Sequence, residues 1–186
     1  MDTTSRSHFG FIDKVRETFL FLNELGFSEV EAQPTLVRYR KGEIEVDIYH
    51  GHQSYEIGAG ITAFGARYSI SEIIRATSPK TAERFHYPMV TSPEGVTSGL
   101  EKLSLLMRRY SDDALRGSSL FFSMLEKKRK RWSDEYALDV LAEQLMPQAN
   151  NAFRQKDYSI AANLYSRIQE RLSPVEIRKL RFAEKH

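Results

Sequence analysis

Leu36-Val37-Arg38-Tyr39-Arg40-Lys41-Gly42-Glu43-Ile44-Glu45-Val46-Asp47-Ile48 alternates apolar and charged residues on either side of a Lys-Gly turn signal. Successive side chains of a strand point to opposite faces, so this period of two predicts strands over 36–40 and 43–48, with one apolar and one charged face. After a second short turn at Gly51-His52, Ser54-Tyr-Glu-Ile-Gly-Ala-Gly-Ile61 continues the alternation as a third strand. Upstream the period changes. Phe9, Ile12, Val15, Phe19, Leu22 and Leu25 recur at helical spacing and end at Gly26, which predicts one amphipathic helix over about 8–25.

Closing both turns as two-residue loops fixes a register. Tyr39 then faces Ile44, Val37 faces Val46, Ile48 faces Tyr55 and Val46 faces Ile57, so the apolar residues share the face that the helix covers. The opposite face collects Glu43, Glu45, Asp47 and Glu56. Arg40 lies opposite Glu43 and Arg38 opposite Glu45, whereas Asp47 confronts Glu56 directly. Like charges opposite one another weaken a strand pair, so that pair needs a reason. One reason is a docking surface for a partner's Lys or Arg, with Gly58 and Gly60 leaving room for close approach. Another is compensation by a cation of the chain itself, such as Arg67.

Beyond Tyr68 the chain reads as helical. Ser69-x-x-Glu72 is a capping box opening a helix through Thr77. Residues 78–92, with Pro79, Pro88 and Phe85-His-Tyr87, form an irregular connector whose aromatics dock on the core. Ser92-Pro93 starts a long helix expected to stop near Gly117, and another begins at Leu120 and runs to Trp132. Ser133-Asp134 restarts the chain, and Pro147 is expected to kink or break that helix. A hairpin of helices over 148–156 and 159–171 follows, then Ser173-Pro174-Val-Glu176, which combines an N-cap serine, an N1 proline and a capping-box glutamate. The predicted fold is α+β in one domain: an N-terminal helix on a three-stranded antiparallel meander over 1–77, the connector, and a mostly helical half over 93–186 ending in a helical hairpin.

Composition narrows the chemistry. There is no cysteine, hence no disulfide, thiolate metal site or Cys nucleophile, in agreement with a reducing, cytoplasmic location. The first residues lack the apolar core of a signal peptide, and no run approaches the length of a membrane span. The formal charge of +2 divides unevenly, −2 over residues 1–90 and +4 over 91–186. Much of the positive excess is Lys127-Lys128-Arg129-Lys130-Arg131 followed by Trp132. Such a run can contact nucleic-acid phosphate and stack a base, but five consecutive cations on a helix point around most of its circumference. A solvated helix end is the alternative reading. His50-Gly-His52 offers two imidazoles without a third ligand at a recognisable spacing, and a polar turn accounts for it. His8, His86 and His186 are isolated; nucleophile-elbow, dinucleotide and phosphate-loop motifs are absent. Two of the sheet carboxylates as an acid/base pair would need a sugar cleft that no other residue marks.

Ala152-Phe153, Asp157-Tyr158, Ala161-Ala162 and Tyr165 resemble the core positions of a tetratricopeptide-type hairpin, present once, whereas such arrays stack three or more. Over its whole length the chain resembles small bacterial proteins that include immunity partners of contact-dependent and polymorphic toxins. The residues carrying that resemblance are Phe27, Val37-Arg-Tyr39, Ser54-Tyr-Glu-Ile57, Tyr68-Ser-Ile-Ser-Glu-Ile73 and Leu172-Ser-Pro-Val-Glu176 with Lys179-Leu180. It implies stoichiometric binding to a protein partner, such as a cognate toxin domain, and carries over no catalytic residue; the acids Glu43, Glu45, Asp47 and Glu56 read from the register, or an adjoining helical surface, are then the expected contact face, and the absence of a ligand or cofactor motif predicts no metal and no cofactor. A nucleic-acid role for residues 127–132 and an enzyme without a recognisable motif are the alternatives. One departure is charge: immunity proteins against basic nucleases are often acidic, and this chain is slightly basic.

Overall fold

The computed structural model describes residues 9–51 and 53–186; His8 and His52 lie outside the described residues. The chain divides into two compact units, one ending at Glu126 and the other spanning Lys127–His186.

In the first unit, the helix expected over 8–25 is broken into α1 (Phe11–Thr18) and α2 (Leu20–Glu24). Phe19 leaves helical geometry at φ −104°, ψ 20°, and its ring is fully buried. A break orphans backbone groups, and here the Thr18 carbonyl accepts a hydrogen bond from the buried Ser104 hydroxyl at 3.0 Å.

Five strands follow in place of three: β1 (Ser28–Gln33), β2 (Leu36–Lys41), β3 (Ile44–His50), β4 (Ile57–Ala63) and β5 (Ala66–Ser69). They form one antiparallel sheet in the order β1-β2-β3-β4-β5. The predicted register is corrected at both hairpins. Tyr39 pairs with Val46 and Val37 with Ile48, because the first turn is Gly42-Glu43 rather than Lys41-Gly42. In the second hairpin Val46 pairs with Ile61 and Ile48 with Ala59, because the connection over 51–56 is longer than two residues. Both slips are even, so every side chain keeps its face and only its partner changes. Val37, Tyr39, Val46, Ile48, Ile57, Ala59 and Ile61 are all buried.

This apolar face packs with α1, with α3 (Ile70–Thr77) and, past the short α4 (Pro79–Ala82), with α5 (Pro93–Tyr110). The α3 capping box forms as read, Ser69 Oγ accepting from the Glu72 N–H while the Glu72 carboxylate accepts from the Ser69 N–H. The connector is tied down by backbone: Ile57 N–H donates to the Pro88 carbonyl at 2.8 Å and Val90 N–H to the Tyr55 carbonyl at 2.9 Å. The long helix ends at Tyr110, short of Gly117; α6 (Asp112–Leu115) fills the interval.

Arg16 on α1 grips Glu29 on the edge strand through two hydrogen bonds of 2.7 and 2.9 Å, and that contact holds the Glu29 carboxyl below its ordinary value of 4.5. A carboxyl whose folded pKa lies below its unfolded one contributes stability that is fully present above the unfolded value and is lost as pH falls through the folded value. Urea midpoints taken from about pH 7 to about pH 3 should therefore decline below the ordinary carboxyl range, and Arg16→Met should flatten that decline. An identical slope in Arg16→Met would remove this clamp as a cause.

The helix α7 (Ser119–Arg154) begins in the first unit and continues into the second without the breaks expected at Ser133 and Pro147. At Ser133 the ladder is carried across by Lys130–Asp134 and Arg131–Glu135, both i,i+4 pairs at 2.8 Å. Around Pro147, Leu145, Ala149 and Ala152 are all buried, so packing holds the flanking turns in line despite the missing N–H. After a turn with Lys156 at φ 65°, Asp157 caps α8 (Tyr158–Ser166), and a 3-10 turn (Gln169–Arg171) leads to α9 (Pro174–Ala183) with its capping box at Ser173 and Glu176. The core here is Ala149, Ala152, Ala161, Tyr165, Leu180 and Ala183, with the Tyr165 hydroxyl donating to Asn150 Oδ1 at 2.8 Å. The hairpin resembling a tetratricopeptide unit is thus closed by α9. Among the described residues no helix is long and apolar enough to cross a membrane.

Candidate protein-binding surface

On the outer sheet face the acids meet the chain's own arginines. Arg40 bonds Glu45 through Nε at 2.9 Å and through its terminal nitrogen, while Arg38 bridges Glu31 and lies 3.6 Å from Glu45. Asp47 is not opposite Glu56. It pairs with Gly60, and Arg67 reaches across that glycine to grip both carboxylate oxygens at 2.9 and 2.6 Å. A methyl on Gly60 would lie 2.4 Å from the Arg67 guanidinium carbon, and one on Gly58 would lie 2.3 Å from the Tyr49 hydroxyl. The glycines therefore admit the protein's own side chains. Hydrogen bonding to Asp47 raises the Arg67 pKa against the lowering effect of burial, and the Asp47 side chain is only 12% exposed. Glu43 is exposed in the β2–β3 turn, and Glu56 leaves the ladder to form an isolated bridge with Met89. Of the four acids, Glu45 and Asp47 share the outer face, both paired.

The basic run divides around α7. Lys130 and Arg131 are committed to Asp134 and Glu135, Lys127 is exposed, and Lys128, Arg129 and Trp132 are half-buried and engaged with other groups. His50 is buried, its Nε2 3.0 Å from the Val90 carbonyl and its ring near Phe9, Phe11 and Tyr55. Among the described residues no group of three His, Cys, Asp or Glu is arranged to hold a metal.

A different feature emerges at the β4–β5 hairpin. Ala63 pairs with Ala66, leaving Phe64-Gly65 as a two-residue loop with φ 53° and 78°. Two positive φ values mark a type I′ turn, whose first position ordinarily holds Asn, Asp or Gly. A phenylalanine there crowds its Cβ against the backbone at a cost of about 1 kcal/mol, and the residue is 68% exposed. It stands edge-on to Phe122 at 5.6 Å, and Phe122 in turn lies 5.6 Å from Tyr68. The first turns of α7 bring Ser119, Phe122, Ser123 and Glu126 along one stripe, since residues three and four apart share a helix face. Together with Ala63, Phe64, Ala66 and Tyr68 they line an open notch, aromatic at its base and polar along the helical rim. The sequence carried one signal for it: a bulky ring beside Gly65, in a turn position that favours small polar residues.

No family model, curated protein or solved structure matches the chain.

Proposed function

We propose that this chain is a stoichiometric protein-binding protein that acts by covering its partner, as immunity proteins do with toxin domains, and that the β4–β5 tip is its contact surface. Its site of action in this reading is the cytoplasm. The observation that carries the proposal is Phe64, a ring held outward in a left-handed conformation. Leaving most of a phenylalanine in water forgoes on the order of 1–2 kcal/mol of burial. Asparagine would avoid both that and the backbone cost. A partner that closes over Phe64 recovers the burial, in the way that aromatic anchors dominate protein interfaces.

The acidic sheet face contributes less to this reading than its sequence suggested, because Glu45 and Asp47 are already paired with arginines. The decisive experiment is affinity capture with the wild-type chain and Phe64→Asn as parallel baits, followed by size-exclusion light scattering of the purified complex. A single partner retained at 1:1 by the wild type and lost by Phe64→Asn is expected. Equal retention by both baits would remove the tip from the interface.

A further inference from the structure

Unpaired cations of the second unit gather on one face of α9, and we propose that this face binds single-stranded nucleic acid, with phosphates along a basic stripe and a base on an exposed ring stack. Residues 127–186 hold 13 Lys and Arg against 8 Asp and Glu, so this unit carries the positive charge of the chain. Most of its acids are already committed: Asp134, Glu135 and Asp139 pair with Lys130, Arg131 and Arg171, Asp157 caps α8, and Glu176 closes the α9 capping box. The excess lies elsewhere than at Lys130 and Arg131. Arg178, Arg181 and Lys185 recur at three- and four-residue spacing along α9, all exposed and none bonded to a carboxylate among the described residues. Leu180 and Ala183, both buried, turn that stripe outward.

Beside the stripe stands a pair of rings. Phe182 and His186, one helical turn apart, stack at 4.1 Å with their planes 15° from parallel. Phe153 and Tyr158 abut Phe182 edge-on at 5.9 and 5.2 Å, and His186 Nδ1 donates to the Phe182 carbonyl at 2.9 Å, so the pair is held in place. It is also open to water: Phe182 is 43% exposed, and His186 is exposed. The helix dipole accounts for Arg181 and Lys185 near the C-terminal end, but not for Arg178 or for rings left in solvent. A flat aromatic partner extends such a stack, and a nucleobase does so while carrying its own phosphates to the cations. A membrane fits poorly, because the large apolar residues that α9 exposes are only Val175 and Phe182, and Phe182 is clamped by its neighbours. Glu184, two residues from both Phe182 and His186, lies on the far side of the helix from the stack.

The test is fluorescence anisotropy of the full chain with labelled single strands of about 15 nucleotides, oligo(dT) and oligo(U), at about 50 mM salt. Saturable binding of at least one strand is expected, and the tighter of the two tells DNA from RNA. Three phosphate contacts should give log K a slope of about −2 against log salt. Arg178→Gln, Arg181→Gln and Lys185→Gln combined should weaken binding at least about tenfold and flatten that slope. His186→Ala should weaken it at least about fivefold, and His186→Phe should restore it. All four residues are exposed, so the variants should keep the wild-type unfolding midpoint, which is measured alongside. No saturable binding of either strand, a triple variant that binds like the wild type, or His186→Ala without effect would each overturn the assignment. Displacement by poly-glutamate as effective as by unlabelled strand would overturn it in favour of an acidic peptide. Phe64→Asn should bind the strands as the wild type does, so this surface stands or falls independently of the β4–β5 tip.

Discussion

Phe64→Asn should abolish partner binding while leaving the stability of the chain nearly unchanged. Two folded-state terms oppose each other at this position. Losing the ring removes an edge-on contact with Phe122 at 5.6 Å and the burial of the covered third of the side chain. Such a contact contributes roughly 0.5–1.5 kcal/mol. Placing asparagine at φ 53° relieves a backbone cost of about the same size, because its short polar side chain tolerates the left-handed region. The net change in unfolding free energy should fall within about 0.5 kcal/mol of zero. Binding has no such compensation. An aromatic anchor at the centre of an interface typically contributes 2 kcal/mol or more, so affinity should fall at least about thirtyfold. Urea denaturation and calorimetric titration on the same preparation measure both quantities. A loss of affinity accompanied by a comparable loss of stability would mean that Phe64 is only a structural residue.

The second large effect belongs to the outer sheet face. Arg67→Met should destabilise the first unit by about 2 kcal/mol, a figure reduced from that of a fully buried pair because the guanidinium is 44% exposed. The cost arises from Asp47, which stays in the sheet with little access to water and loses the guanidinium that grips it, while Arg38, its cross-strand neighbour on β2, is held by Glu31. Gly60→Ala should reproduce most of that loss without touching either charge. Its methyl would fall 2.4 Å from the guanidinium carbon, and the arginine tip, being flexible, swings away and surrenders Asp47. The double variant should then cost little more than Arg67→Met alone, since both changes break one interaction. Additive losses in urea denaturation would show that Gly60 acts through the backbone instead.

How far the fold could be read from the chain depends on what each element exposes. The change from helical spacing before Gly26 to alternation after Leu36 announces an α+β fold, and the capping boxes at Ser69 and Ser173 mark helix starts that form as read. β1 escapes because Ser28-Glu-Val-Glu-Ala-Gln33 buries little: it is an edge strand with a bulge between Glu29 and Glu31 and half-exposed Val30. β5 escapes through its length, four residues ending where α3 begins. Strand register was wrong by even steps, which local pattern cannot detect, since a shift of two residues preserves both faces and changes only the partners. That error alone put Asp47 opposite Glu56. Arg67 was readable as a compensating cation, but the way across Gly60 follows only from the true pairing. The continuity of α7 through Pro147 is set by buried neighbours, which outweigh the local penalty of a proline. Phe64 was hidden for the opposite reason to β1: a strongly apolar residue in a turn reads as strand unless the loop is located first.

Consecutive strand order has a kinetic consequence. Every strand of the sheet pairs only with its neighbours in sequence, so the meander closes short loops and can assemble once the chain is synthesised as far as Ser69. The α1–α2 elbow works on another clock. Its freed Thr18 carbonyl waits for Ser104, 86 residues later, so the elbow is locked only when α5 arrives. The sheet can therefore form before the seal of its own helical cover, and until α5 docks the Thr18 carbonyl lacks the hydroxyl that satisfies it.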